Sequence, residues 1–226
     1  MTHRSTASTR RLGGAATARV LALVVLGYAI GAASPVASPA AVYSYRSAST
    51  GAEVGIYGEP GVAARFWREQ STSDCAEMAV ADVVGQITGH EPTEEEVTAA
   101  AGNIPSVSHP GPIYRPSRYT KNSDLPVLLA HYGVQSNAVH TNTGALAQDL
   151  DQGRKVIVGL NDRTIWNKPG DRSQENHFVV VTGIDTNAGV VHLNDSGSKA
   201  GRDEQVSIAT FEQAWKTSDN FAVVTR

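Results

Sequence analysis

Apolar positions recur at three- and four-residue steps in the first half of this chain, and in short continuous runs in the second half. Cys75, Met78, Ala79, Asp82, Val83 and Ile87 share one helical face, so the spacing predicts a helix capped by Ser73 or Asp74 and ended by Gly89. Thr93-Glu94-Glu95-Glu96 has the form of a capping box, opening a second helix to about Ala101 with Gly102 as its stop. A third helix is expected from Ser123 or Asp124 to His131, with Pro126 in its first turn and Gly133 after it. A fourth runs from Thr143 to Gln152, stopped by Gly153. The period then changes. Val156 to Leu160, Phe178 to Ile184, Val190 to Asn194 and Phe221 to Val224 read as strands, with a helix from Ser207 to Trp215 before the last. Helices first and antiparallel strands second is the α+β arrangement. Two stretches have no sustained period. Residues 41–61 read as an irregular lead-in that packs through Ile56 and Tyr57, as does Trp67 beyond it. Residues 103–122 form a Pro/Ser/Gly-rich loop, read either as a covering loop or as a packed surface loop.

The first forty residues carry a different signal. Arg4, Arg10, Arg11 and Arg19, with no acid, precede the apolar stretch Val20 to Ala33 and the small-residue segment Ser34 to Ala40. That order matches a secretory signal peptide with Ser38 and Ala40 at −3 and −1; an uncleaved short anchor is the alternative. The pair Arg10-Arg11 is a weak twin-arginine hint, and no cysteine near the cleavage point offers a lipid attachment. The expected location is therefore secreted or cell-envelope. The remaining 62–226 segment is long enough for one domain.

Charge narrows the partners. The full chain has 19 Lys+Arg against 22 Asp+Glu, and without the four leader arginines the balance is 15 against 22, or −7. A domain that acidic has no basic stripe for a phosphate backbone, so nucleic-acid binding is set aside.

The single cysteine carries the chemistry. A lone thiol in an exported chain has no intramolecular disulfide partner, and Cys75 stands where the polar turn Gln70-Ser71-Thr72-Ser73-Asp74 gives way to a helix. Helix N-termini favour a thiolate, although Asp74 and Glu77 oppose the effect, so a basic partner is needed. His177 opens the apolar strand His-Phe-Val-Val-Val-Thr-Gly-Ile, and Asp195 ends the next one. A hairpin about Asn187-Ala188-Gly189 would set them side by side, the carboxylate fixing the imidazole and leaving its other nitrogen to the sulfur. Taken singly, each has a plainer reading: a buried small hydrophobe, a backbone-bonded strand-end histidine, a turn aspartate.

The ordered blocks Trp67-Arg68-Glu69-Gln70 with Asp74-Cys75, Gly153 to Val158, His177 to Asp185, Val190 to Asp195 and Phe211 to Trp215 resemble the papain-like peptidases of cysteine-peptidase family thirty-nine. The likeness is to free-standing exported relatives of double-glycine leader peptidases, and runs from about Tyr57 to the C-terminus. It implies a papain-like fold, N-terminal helices on a C-terminal antiparallel sheet. It also implies Cys75 as nucleophile, His177 as general base and acid, Asp195 as orienting residue and Gln70 as oxyanion donor beside the Cys75 N–H. Gln70 precedes Cys75 by five residues where the papain-like pattern usually has six, and Ala76-Glu77 follows where relatives often have Gly and a small residue.

The expected activity is thiol hydrolysis of peptide bonds in a peptide or protein substrate, with no cofactor and no metal. A catalytically silent binding module and an acyl transferase using the same residues are the alternatives. Asn194-Asp195-Ser196-Gly197-Ser198 echoes a serine-peptidase motif without its upstream histidine signature, and His192 with Asp195 lacks a third ligand. NlpC- and CHAP-type cell-wall peptidases rank second among hydrolases, because their histidine generally follows the cysteine sooner.

Overall fold

The computed structural model describes residues 55–226. Residues 1–40, read above as an export signal, and the lead-in as far as residue 54 lie outside the described residues. Where the lead-in is described it is not irregular: Ile56–Gly58 forms strand β1, followed by a short helix α1, Pro60–Ala63. Three residues with a glycine at the end carry too little alternation to be read as a strand. They become one because the far end of a long central strand offers them unpaired backbone.

Three helices follow. Helix α2 is Cys75–Thr88, ended by Gly89 in the left-handed conformation. Helix α3 is Glu94–Asn103, and both halves of its Thr93/Glu96 capping box are formed. Helix α4 is Leu125–His131, preceded by a 3-10 turn over Asn122–Asp124 and carrying Pro126 in its first turn. The remaining elements are β2 (Ser136–His140), α5 (Thr143–Asp151), β3 (Val156–Leu160), α6 (Asp162–Ile165), β4 (His177–Asp185), β5 (Val190–Asn194), β6 (Glu204–Ser207), α7 (Ile208–Trp215) and β7 (Phe221–Thr225).

All pairings are antiparallel, in the order β2-β7-β3-β4-β5-β6, with β1 added to β4. The expected hairpin is present: β4 and β5 pair from Val180↔Asn194 to Asp185↔Val190. The Asp185 carboxylate accepts from Asn187 and Ala188 N–H in its turn. Strands β2 and β6 were not legible in the pattern. Ser136–His140 is a half-exposed edge, and Glu204–Ser207 is the opposite edge, so neither has an apolar face to declare itself.

The sheet is covered on both faces. Ile157, Phe178, Val180, Phe221 and Val223 pack against α2, α3 and α4. Val158, Val179, Val181, Leu193 and Val224 pack against α5 and α7. Burial on both sides explains why β3, β4 and β7 read as continuous apolar runs rather than alternating ones. The antiparallel sheet with helices is the expected α+β fold, with helices from the second half of the chain closing its other face. Among the described residues no helix is long and apolar enough to cross a membrane.

Candidate active site

Three elements converge at one end of the sheet. Cys75 is the first residue of α2, His177 the first of β4, and Asp195 follows β5 directly. His177 Nε2 donates to Asp195 Oδ1 at 2.7 Å. The Cys75 sulfur stands near enough to the same imidazole to help raise its pKa, and with Nε2 committed to Asp195 the nitrogen left to face it is Nδ1. All three predicted residues are thus brought together. Burial alone would pull the His177 pKa down, but the Asp195 carboxylate and the Cys75 sulfur together raise it well above the ordinary range.

Cys75 is 6% exposed, yet it lines a cleft of 330 Å³ with Glu77, Tyr119, Asn122, Glu175 and Phe178. Residues 119–122 form one wall, so the end of the Pro/Ser/Gly-rich loop does border the thiol. Its Thr120 hydroxyl donates to the buried Glu77 carboxyl at 2.5 Å. Burial pushes the Glu77 pKa up to about 7, which limits the negative charge it sets against the sulfur.

Gln70 sits beside the site, facing its own loop. Its Nε2 donates to Thr72 O at 2.7 Å and its Oε1 accepts from Ser196 Oγ at 2.8 Å. Its backbone N–H also donates to Ser196 O. One Nε2 hydrogen is left over, and the Cys75 backbone N–H is among those a helix start leaves without an intrahelical acceptor. Asp74 occupies the N-cap position without capping: its side chain makes no cap hydrogen bond. Both of its carboxylate oxygens are buried without a hydrogen-bond partner, and burial, with Glu94 nearby, raises its pKa to about 6. Glu94 in turn accepts from Ser71 N, Ser71 Oγ and Thr72 N, tying the Gln70–Asp74 loop to α3.

Sequence reasoning missed the residues that hold Asp195. Trp166 Nε1 donates to its Oδ2 at 3.1 Å, and Gly197 N donates to its Oδ1 at 2.8 Å. Trp67 Nε1 donates to its backbone carbonyl at 2.6 Å. Glu204, from the edge strand β6, stands close to Asp195 and Trp166, with its Oε2 buried and unbonded. Burial and the Asp195 charge push its pKa up to about 7. Trp166 was the visible clue, a large ring in an otherwise polar loop before His177; its ring lies 5.3 Å from the imidazole. Gly197 must be glycine because a Cβ there would stand 2.9 Å from His177 Cε1 and 3.0 Å from Trp166 Cη2.

His192, weighed as a metal ligand with Asp195, instead bonds Asp203 through Nδ1 at 2.7 Å. Among the described residues no group of three His, Cys, Asp or Glu side chains is placed to hold a metal ion.

The Peptidase_C39 like family matches over residues 63–223. The chain belongs to this family. Among its relatives are the uncharacterized proteins Rv1268c of Mycobacterium tuberculosis (strain ATCC 25618 / H37Rv) and Mb1299c of Mycobacterium bovis (strain ATCC BAA-935 / AF2122/97). Each is 39% identical over 243 residues, covering 96% of this chain and 99% of the relative. A crystal structure of a C39-like peptidase candidate from Bacillus anthracis superposes with a TM-score of 0.54 at 18% identity, covering 71% of this chain and 93% of that one. That likeness is one of fold. Family and fold together place the chain among the C39-like, papain-like peptidases, the family that the sequence blocks resembled.

Proposed function

We propose that this protein is an exported cysteine peptidase in which Cys75 attacks the peptide carbonyl. The observation that carries the reading is the convergence of Cys75, His177 and Asp195 beside a cleft. His177 takes the thiol proton, forming an imidazolium–thiolate pair that Asp195 stabilises. Sulfur adds to the carbonyl carbon, and the oxyanion meets the Cys75 N–H and the spare Gln70 N–H, donors of a kind typically worth about 3 kcal/mol each. The imidazolium then protonates the leaving amine, giving an acyl-thioester. A water, deprotonated by His177, releases the acid and restores the thiol. No step calls for a cofactor. Export rests on the order of charged, apolar and small residues in the first forty positions, and sets the substrate among peptides or proteins outside the cytoplasm or in the cell envelope.

The chain's single thiol makes the test clean. Iodoacetamide should label Cys75 rapidly below the free-thiol range of about 8.5. His177→Ala should abolish that low-pH reactivity, and His192→Ala, which removes the other His–Asp pair, should leave it. A peptide-library digest should show cleavage lost in Cys75→Ser. Labelling that rises only near the free-thiol range, with no digestion, would instead describe a silent peptide-binding module.

A further inference from the structure

Glu175 lies two residues before His177 and lines the same cleft as Cys75. Its Oε2 accepts from Asn122 Nδ2 at 3.1 Å, across the cleft from one wall to the other. The carboxyl occupies space that Gly159 leaves empty: a Cβ on Gly159 would stand 2.4 Å from Glu175 Oε1. Lys121 lines the cleft as well, but among the described residues no Lys, Arg or His nitrogen forms an ion pair with Glu175. A half-buried carboxylate with one neutral donor and no ion-pair partner gains most from a ligand that brings a cation into direct contact. Burial accordingly raises its pKa, partly offset by Asn122 and Lys121.

From this juxtaposition we propose that Glu175 is a specificity-determining residue, selecting peptides with a cationic side chain, Lys or Arg, beside the bond presented to Cys75. The inference rests on the peptidase reading for its reaction and on the cleft alone for its binding. The Glu175 carboxylate pairs with the substrate ammonium or guanidinium, and Asn122 keeps the carboxylate aimed into the cleft.

Binding separates the two readings. The probes are capped Ala/Gly octapeptides in which one Lys, or one norleucine of similar length, is walked along the chain. Their Kd values are measured on the Cys75→Ser chain, which needs no turnover. At one or two positions Lys should bind about 5- to 20-fold more tightly than norleucine, the range expected of a partly solvated charge pair. Glu175→Gln should bring the two Kd values together, and Glu175→Asp, which keeps the charge, should retain part of the difference; unchanged melting temperatures check that both fold. Equal Kd values in the parent, or a Lys preference that survives Glu175→Gln, would overturn the inference. Selective binding by Cys75→Ser without cleavage by the Cys75 protein would uphold it and overturn the peptidase reading.

Discussion

Asn194 donates to Asp82 Oδ2 at 2.7 Å, and so fastens the helix that begins with Cys75 to the strand that ends one residue before Asp195. The same amide donates to Ala63 O at 2.9 Å, and Gln86 donates to Asp82 Oδ1 at 2.5 Å. The relative placement of sulfur and carboxylate is thus set by a buried polar link as well as by apolar packing.

That link gives the fold a pH dependence. Burial pushes the Asp82 pKa up to about 8, and burial likewise raises Glu77 and Glu91 to about 7. A carboxyl whose folded pKa exceeds its unfolded value of roughly 4 favours the fold most when protonated. The contribution is therefore complete below about pH 4 and is lost as pH rises through 7 and 8. Thermal unfolding of the chain should give a lower Tm at pH 8 than at pH 5.5. Asp82→Asn, which removes the titrating group although its NH2 replaces one of the two oxygens that accept from Gln86 and Asn194, should flatten that slope. Asp82→Ala should lower Tm at both pH values, by about 2–3 kcal/mol of stability, because it leaves buried donors unpaired.

Trp166 controls how strongly Asp195 acts on His177. The ring covers the pair and its N–H holds Oδ2, so removing it admits water and weakens the attraction that keeps the imidazole protonated. Trp166→Ala should slow Cys75 alkylation at pH 6 by about tenfold, the equivalent of one hydrogen bond to a charged group. Trp166→Phe, which keeps a ring over His177, should lose less. Equal rates in all three proteins would show that the indole is only packing.

Gly197 lies against the edge of the imidazole. Gly197→Ala puts a methyl 2.9 Å from His177 Cε1, closer than carbon atoms approach, so the ring must turn away from the sulfur or from Asp195. Low-pH alkylation should fall toward that of His177→Ala while Tm changes little. A variant that alkylates at the parent rate would mean that the loop gives way and the imidazole stays.

Much of this arrangement was legible before any coordinates. Cys75 marked itself by standing alone at a turn-to-helix junction. His177 and Asp195 followed from reading β4, a turn and β5 as a hairpin. The helix spans were near those observed because capping boxes, prolines and terminal glycines act locally. What could not be read depends on pairing at a distance. Strands β1, β2 and β6 exist because another strand's edge is free, and Trp67 and Trp166 reach Asp195 across 128 and 29 positions of sequence. Asp74 does take the N-cap position read for it, but its carboxylate is buried and makes no cap hydrogen bond.

Glu204 supplies the last test. Its carboxyl stands behind Asp195, close to Trp166 and His177, with Oε2 buried and unbonded. Below about pH 7 it is protonated and neutral, so Asp195 is the one charged carboxylate at the back of the imidazole. As pH rises through 7 a second negative charge appears there, which the fold disfavours and which draws the imidazolium proton more strongly. The pH profile of Cys75 alkylation should therefore carry an inflection near 7 that Glu204→Gln removes. The variant should also lose less stability than the parent between about pH 4.5 and 7, the window in which the unfolded carboxyl is ionised while the folded one keeps its proton. Superimposable alkylation profiles for the two proteins would show that Glu204 is isolated from the Cys75–His177 pair and that Asp195 alone sets its charge.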